Sequence, residues 1–317
     1  MSERTGLGPL EVALLEATVA MQAGREVPVR TTDVLLLCER RDGYGPSYAL
    51  PVLQHLGAWW HTHLNLFEVH GNWGTVGGDP PADAQYTEVR LSPAGWLALG
   101  AERGELGPVP VTLVNGTHYR GGLVPPLSPR RTVELLHRLI DDEEVPEEAF
   151  DDLVAFPTRG TIDGDLESLY GGHRTRILLG SRVVREAPTR LVITGIPPGT
   201  SVQEVGSGLS RRQQPSPGGR VSRHLFGPPE VDERMYGTGN GVVGIEDESG
   251  YDDPIRIVLD LAADADVDAA ESWASTVWPV TIEAELELPG GLDTMLRDWA
   301  HRCAEDRSGL DELTRLV

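Results

Sequence analysis

The chain contains no lysine: all 27 basic residues are arginine, against 49 aspartates and glutamates, for a net charge of −22. Proteins that grip duplex DNA normally present basic surfaces, because neutralised phosphates release counterions. So large an acidic excess leaves DNA contact only to a local face. Cysteine is nearly absent as well. Cys38 and Cys303 make neither a disulfide framework nor a metal spacing, which fits a reduced, cytoplasmic protein. No run approaches the ~18 apolar residues of a membrane span, and residues 1–6 lack the basic-then-apolar pattern of an export signal. No phosphate-binding P-loop is present, so the chain is not expected to hydrolyse ATP. Asp264, Asp266 and Asp268 lack the glycine and distal glutamate of a calcium loop. His61 and His63 find no third metal ligand at useful spacing.

What is present suffices for one large or two ordinary domains: 317 residues, 39% of them hydrophobic. Leu10, Leu14, Leu15, Thr18 and Met21 follow helical spacing up to Gly24. Thr31, Thr32 and Asp33 offer a cap for a second helix through Cys38, and a third runs from about Ser47 to Trp60. Thr87 to Ala101 reads as a helix with Pro93 near its first turn. Arg130 to Asp142 is amphipathic through Val133, Leu135, Leu136, Leu139 and Ile140. Strands are expected over 175–180, 190–194 and 255–260. Ser207 to Gly241, rich in Gly, Pro, Ser and Arg, reads as a mobile insertion. Its Arg211, Arg212, Arg220 and Arg223 are the densest basic cluster in the chain; they suit either a phosphate contact or a plain surface loop. Leu292 to Val317 is an amphipathic helical stretch.

The most informative stretch is Gly71-Asn72-Trp73-Gly74, a polar run, then Gln85-Tyr86-Thr87-Glu88-Val89-Arg90-Leu91. It resembles the loop that carries the nucleophilic tyrosine in the A subunits of DNA gyrase and topoisomerase IV, roughly G-N-F-G-S-x-D-G-D-x-x-A-A-x-R-Y-T-E-x-R-L. Tyr86 stands at the nucleophile's position, and Gln85 stands where that family has arginine. Asp42-Gly43-Tyr44-Gly45-Pro46 lies at the distance of the family's H-P-H-G-D, without either histidine. Val109 to Gly116 resembles I-P-N-L-L-V-N-G; beyond it, Tyr119 and Arg120 are candidates for DNA contact, and no residue clearly inherits the family's apolar wedge. Phe156-Pro157-Thr158, Ile193 to Pro197, and Asp247-Glu248-Ser249 resemble further family segments in the right order.

The resemblance implies an α+β fold. A winged-helix-like domain with the tyrosine loop is expected over 1–125, and a tower-like α/β domain with the 207–241 insertion over 126–291. Residues 292–317 would be the stub of the family's coiled coil, with no coiled-coil gate and no C-terminal wrapping domain. It implies a DNA-gate protein that binds duplex DNA and breaks and rejoins both strands through a phosphotyrosyl bond at Tyr86. Mg2+ would be supplied in trans by a gyrase B-like partner, and two copies would pair about a two-fold axis. Gln85 cannot neutralise a phosphate, so cleavage is expected to be impaired; His70 and Arg90 are candidate substitutes. The alternative is a catalytically degenerate, acidic paralogue that binds gyrase A-like or B-like subunits, which it modulates or protects.

Overall fold

A computed structural model describes residues 2–25, 27–119, 122–141, 143, 145–150, 153–213, 241–276 and 281–317. The chain opens with α1 (Pro9–Gln22), β1 (Val29–Arg30), α2 (Thr31–Asp42) and α3 (Pro46–Gly57). Pro9 begins α1, where its missing N–H costs nothing, and the Glu11 carboxylate reaches back to the Gly8 amide at 2.5 Å. Leu10, Leu14, Ala17 and Thr18 then bury one stripe of that helix. Next come β2 (Phe67–His70), β3 (Glu88–Leu91), α4 (Pro93–Glu102), α5 (Val111–Asn115), β4 (Thr117–Tyr119), β5 (Gly122–Val124) and α6 (Pro129–Ile140).

The second half runs β6 (Thr161–Asp163), α7 (Leu166–Tyr170), β7 (Thr175–Gly180), β8 (Arg182–Ala187), β9 (Arg190–Gly195), α8 (Val202–Gln213), β10 (Val242–Asp247) and β11 (Ile257–Leu261). It ends with α9 (Val267–Thr276), β12 (Thr281–Leu286), α10 (Leu292–Ala304) and α11 (Ser308–Leu316). The expected α+β class therefore holds, with three sheets among the described residues. The first is the antiparallel trio β1-β3-β2 and the second the antiparallel quartet β10-β11-β9-β8. The third, β4-β5-β12-β7-β6, is antiparallel except where β12 runs parallel to β5.

Two apolar cores organise these elements. The larger gathers α1 to α6, the inner faces of β7 and β12, and the two C-terminal helices through Leu292, Leu296, Trp299, Leu310 and Leu313. The smaller lies between the β9–β11 strands and helices α8 and α9, through Leu191, Ile193, Val202, Val205, Leu209, Ile257 and Leu259. From the first half, Val76 is buried in this second core and Trp60 packs against it.

Three local expectations change. The helix expected from Thr87 starts only at Pro93; residues 88–91 are a strand. Proline disfavours helical backbone in the residue before it, and Ser92 caps the new helix by accepting the Gly95 amide at 2.9 Å. Val89 and Leu91 face inward while Glu88 and Arg90 face outward, the two-residue alternation of a strand. The segment expected to be mobile from Ser207 is helical as far as Gln213, because Val202, Val205 and Leu209 form one buried stripe; residues 214–240 lie outside the described residues. The C-terminal stretch is two helices, of which α10 packs on α6, and α11 on α4 and α6.

Candidate functional site

Strands β2 and β3 form an antiparallel pair, and the glycine-rich loop joins their ends. His70 stands opposite Glu88, so the chain leaves and re-enters the sheet at neighbouring points. Gly71 allows this: its φ is +91°, and a Cβ there would lie 2.8 Å from the Tyr86 carbonyl oxygen. The loop is wound on its own polar groups. Asn72 Oδ1 accepts the Gly74 amide at 2.9 Å, and the Asn72 carbonyl accepts the Ala82 amide at 2.9 Å. Thr75 Oγ1 donates to Asp79 Oδ2 at 3.0 Å. Trp73 is buried, and its indole N–H donates to the His70 carbonyl at 3.1 Å, so it fills the core beneath the loop.

The loop is also tied to the second core. Val76 is buried there, and the Val76 and Gly77 carbonyls accept the Val202 and Gln203 amides at 3.0 and 3.1 Å. Those are two of the first amides of α8, which have no partner within the helix. Ser201 and Glu204 complete that helix start reciprocally: Glu204 Oε2 accepts the Ser201 amide at 2.9 Å, and Ser201 Oγ accepts the Glu204 amide at 3.2 Å.

Tyr86 ends a 3-10 turn over Ala84–Tyr86, its amide donating to the Asp83 carbonyl at 2.9 Å. The side chain is 70% exposed. Thr87 beside it is buried, and its Oγ1 donates to Thr31 Oγ1 at 2.8 Å, while the Thr31 amide donates to the Thr87 carbonyl at 3.0 Å. The phenol thus projects from a backbone pinned to the first turn of α2.

Of the other candidate groups, Arg90 is paired with an acid of the neighbouring strand. Gln85 and His70 are exposed. A helix through this segment would set Arg90 one turn beyond Tyr86. It lies instead on β3, where four residues span up to ~13 Å rather than the ~6 Å of a helical turn. It faces Glu68 across the strands, with Nε 2.6 Å from Glu68 Oε2. Its guanidinium is thereby compensated. Residues 71–89 themselves contain Asp79, Asp83 and Glu88 and no arginine. Among the described residues no group of three or more His, Cys, Asp or Glu side chains is placed to hold a metal.

Of the candidates for DNA contact, Tyr119 closes β4, with its side chain outside the described residues; Arg120, Arg220 and Arg223 lie outside them altogether. Arg211 and Arg212 fall in the last turn of α8, their side chains also outside the described set. Sequence reasoning misses the bond from the loop to α8 and a row of rings at the end of α3 and in the turn after it: His55, His61, Trp60 and Trp59, each in contact with the next. The spacing of Val76 from Val202 carries no local signal.

An exposed tyrosine on a glycine-rich loop, closed over a strand pair and seated on a helix start, is joined in this chain to an overall similarity with one class of protein. The chain resembles the A subunits of DNA topoisomerase IV and DNA gyrase, and it diverges strongly from them. It is 24% identical over 254 residues to the A subunit of DNA topoisomerase 4 from Streptococcus pyogenes serotype M18 (strain MGAS8232), covering 70% of this chain and 28% of that protein. It is 28% identical over 185 residues to the A subunit of DNA topoisomerase 4 from Bacillus subtilis (strain 168), covering 49% of this chain and 23% of that one. With the A subunit of DNA gyrase from Deinococcus deserti the identity is 23% over 291 residues, covering 81% and 33%. The chain therefore spans between 23% and 33% of the length of these relatives. No family model matches it.

Proposed function

We propose that the chain is a DNA-gate protein of the gyrase and topoisomerase IV A-subunit kind, with a winged-helix-like first part and a tower-like second part. In this reading it binds duplex DNA, pairs with a second copy, and works with a B-type subunit that brings Mg2+. The observation that carries it is Tyr86: an exposed phenol at the end of a loop tied to both cores, in the sequence context of the family's nucleophile. The Tyr86 oxygen would attack a backbone phosphorus, form a phosphotyrosyl bond and release the sugar hydroxyl; the reverse step reseals the strand.

Charge sets the rate. A hydrogen bond from an ionised donor is roughly twice as strong as a neutral one, and losing one preorganised donor costs on the order of 10²–10³ in rate. Gln85 supplies only a neutral donor, and Arg90 is occupied by Glu68. Cleavage by this chain is accordingly slow, and Gln85→Arg accelerates it.

A second reading is favoured by that same charge balance. The chain would be an acidic paralogue that binds gyrase A-like or B-like subunits, modulating or protecting them without cutting DNA. One experiment separates the two. The protein is incubated with supercoiled DNA, Mg2+ and a B-type partner, and reaction is stopped with detergent. DNA linked to protein that disappears in Tyr86→Phe and increases in Gln85→Arg supports the gate. Linkage indifferent to Tyr86→Phe refutes it. Tight binding to gyrase subunits with no linked DNA supports the paralogue.

A further inference from the structure

Strand register brings to Tyr86 a cation that its own loop lacks. Strand β1 flanks β3 on the side away from β2, with Val29 opposite Val89 and Arg30 opposite Glu88. Directly opposed residues send their side chains to one face of a sheet. Val29 and Val89 turn to the larger core, while Arg30 and Glu88 turn outward. Thr87 is extended, at φ −125° and ψ 154°, and is buried on the same side as Val89. The alternation of β3 therefore runs back through Thr87 and leaves Tyr86 on the outward side with Glu88. Tyr86 is then the diagonal neighbour of Arg30, a relation that in a sheet spans ~7–8 Å and lies within reach of aromatic and long side chains. The two bonds between Thr31 and Thr87 pin this register at the residue next to Arg30. The strands of the sheet hold two arginines. Arg90 is paired with Glu68. Arg30 is exposed, and among the described residues its guanidinium has no hydrogen bond and no ion pair, with Glu88 or any other acid.

We propose that Arg30 is the catalytic cation of the Tyr86 site, binding the phosphate that Tyr86 attacks in place of the arginine missing at position 85. The proposal rests on the gate reading and names a residue that carries its charge. As the Tyr86 oxygen bonds to phosphorus, the phenol proton leaves; the bond from phosphorus to the sugar oxygen breaks, and that oxygen takes up a proton. Negative charge meanwhile builds on the two non-bridging oxygens. A planar guanidinium meets two such oxygens with two parallel charge-assisted bonds. A cation already in place, and not held by another acid, acts at the moment the charge develops. Gln85 contributes its neutral donor from the loop side, and Arg30 its charge from β1.

This proposal and the gate reading can fail separately. Protein-linked DNA is followed against time at saturating supercoiled DNA, with Mg2+ and a B-type subunit, in the parent and in Gln85→Arg. Arg30→Gln should slow linkage ~10²–10³-fold in the parent, and Arg30→Lys should lose less. In Gln85→Arg the same Arg30→Gln change should cost less, because two cations then serve one phosphate. Urea midpoints check that each variant folds as the parent does. Tyr86-dependent linkage that keeps its rate in Arg30→Gln overturns this proposal and leaves the gate standing. Equal loss in Arg30→Gln and Arg30→Lys together with a lowered urea midpoint shows a structural role and overturns it too. Linkage absent from every chain, Gln85→Arg included, removes the gate reading and this proposal with it.

Discussion

Replacing Gly71 by alanine tests whether the loop is set by its contact with the Tyr86 backbone. Two costs add. A φ of +91° is left-handed backbone, which costs an ordinary residue ~1–2 kcal/mol. The new methyl would also lie 2.8 Å from the Tyr86 carbonyl oxygen and 3.4 Å from Thr87 Cα, both of them backbone atoms. Overpacking of this kind costs ~1–3 kcal/mol. Gly43 provides the matched control. It closes α2 at φ +79°, and a Cβ there meets nothing within 4 Å. Gly43→Ala carries the conformational cost alone. In urea unfolding followed by tryptophan fluorescence, Gly71→Ala should lose ~1–3 kcal/mol more than Gly43→Ala. Amide exchange at Tyr86 and Thr87 should also rise in the first variant only, as their turn bonds to Asp83 and Ala84 are displaced. Equal losses in the two variants, with unchanged exchange at Tyr86, would refute the reasoning.

Three further outcomes follow from the same geometry. Arg103 donates to both Glu16 oxygens at 2.9 and 2.7 Å, and this bond holds the Glu16 carboxyl below the usual carboxylate range. Arg103→Gln should therefore cost less than ~1 kcal/mol at neutral pH, the pair being about a third exposed. The stabilisation is present above the ordinary glutamate pKa of ~4.3 and lost as pH falls through the lowered folded value. Urea midpoints of parent and variant should accordingly converge at acid pH; a gap that widens there contradicts the assignment. Burial pushes the Cys303 thiol up to about 12 and raises Cys38 as well, so native protein should take up no DTNB at pH 8 while unfolded protein takes up two equivalents. Rapid labelling of the native chain would show that these positions open. With a net charge of −22, added KCl should raise the urea midpoint by screening self-repulsion, and a falling midpoint would mean that the ion pairs outweigh it.

Much of the fold is legible where periodicity is local. The stripes of α1 and α6 and the alternation over 175–180 follow directly from spacing, and the strand expected over 190–194 is found at Arg190–Gly195. Trp73 is buried beneath the glycine-rich loop that carries it. The failures share a cause. Glu88 to Leu91 alternates as a strand does, yet it runs without a break in polarity into the helix behind it; Pro93 marks the true boundary. Arg90 then looks like a free cation near the phenol, because its partner Glu68 lies 22 residues away and is revealed only by strand register. Likewise Leu209 makes the end of α8 helical by burial in a core to which its own glycine-rich neighbours give no clue. His55 and His61 stack because the chain turns back after α3, and no local pattern anticipates that turn.

Val76 gives the tyrosine loop two masters. The loop is rooted in one core by Trp73 and Thr87 and clasped to the other through Val76 and the start of α8. Any rigid-body shift of the β9–β11 sheet against the helical half must either drag residues 76–77 along or break their two bonds to α8. Tyr86, downstream of that clasp on the same loop, is consequently geared to the relative posture of the two halves rather than to either one alone.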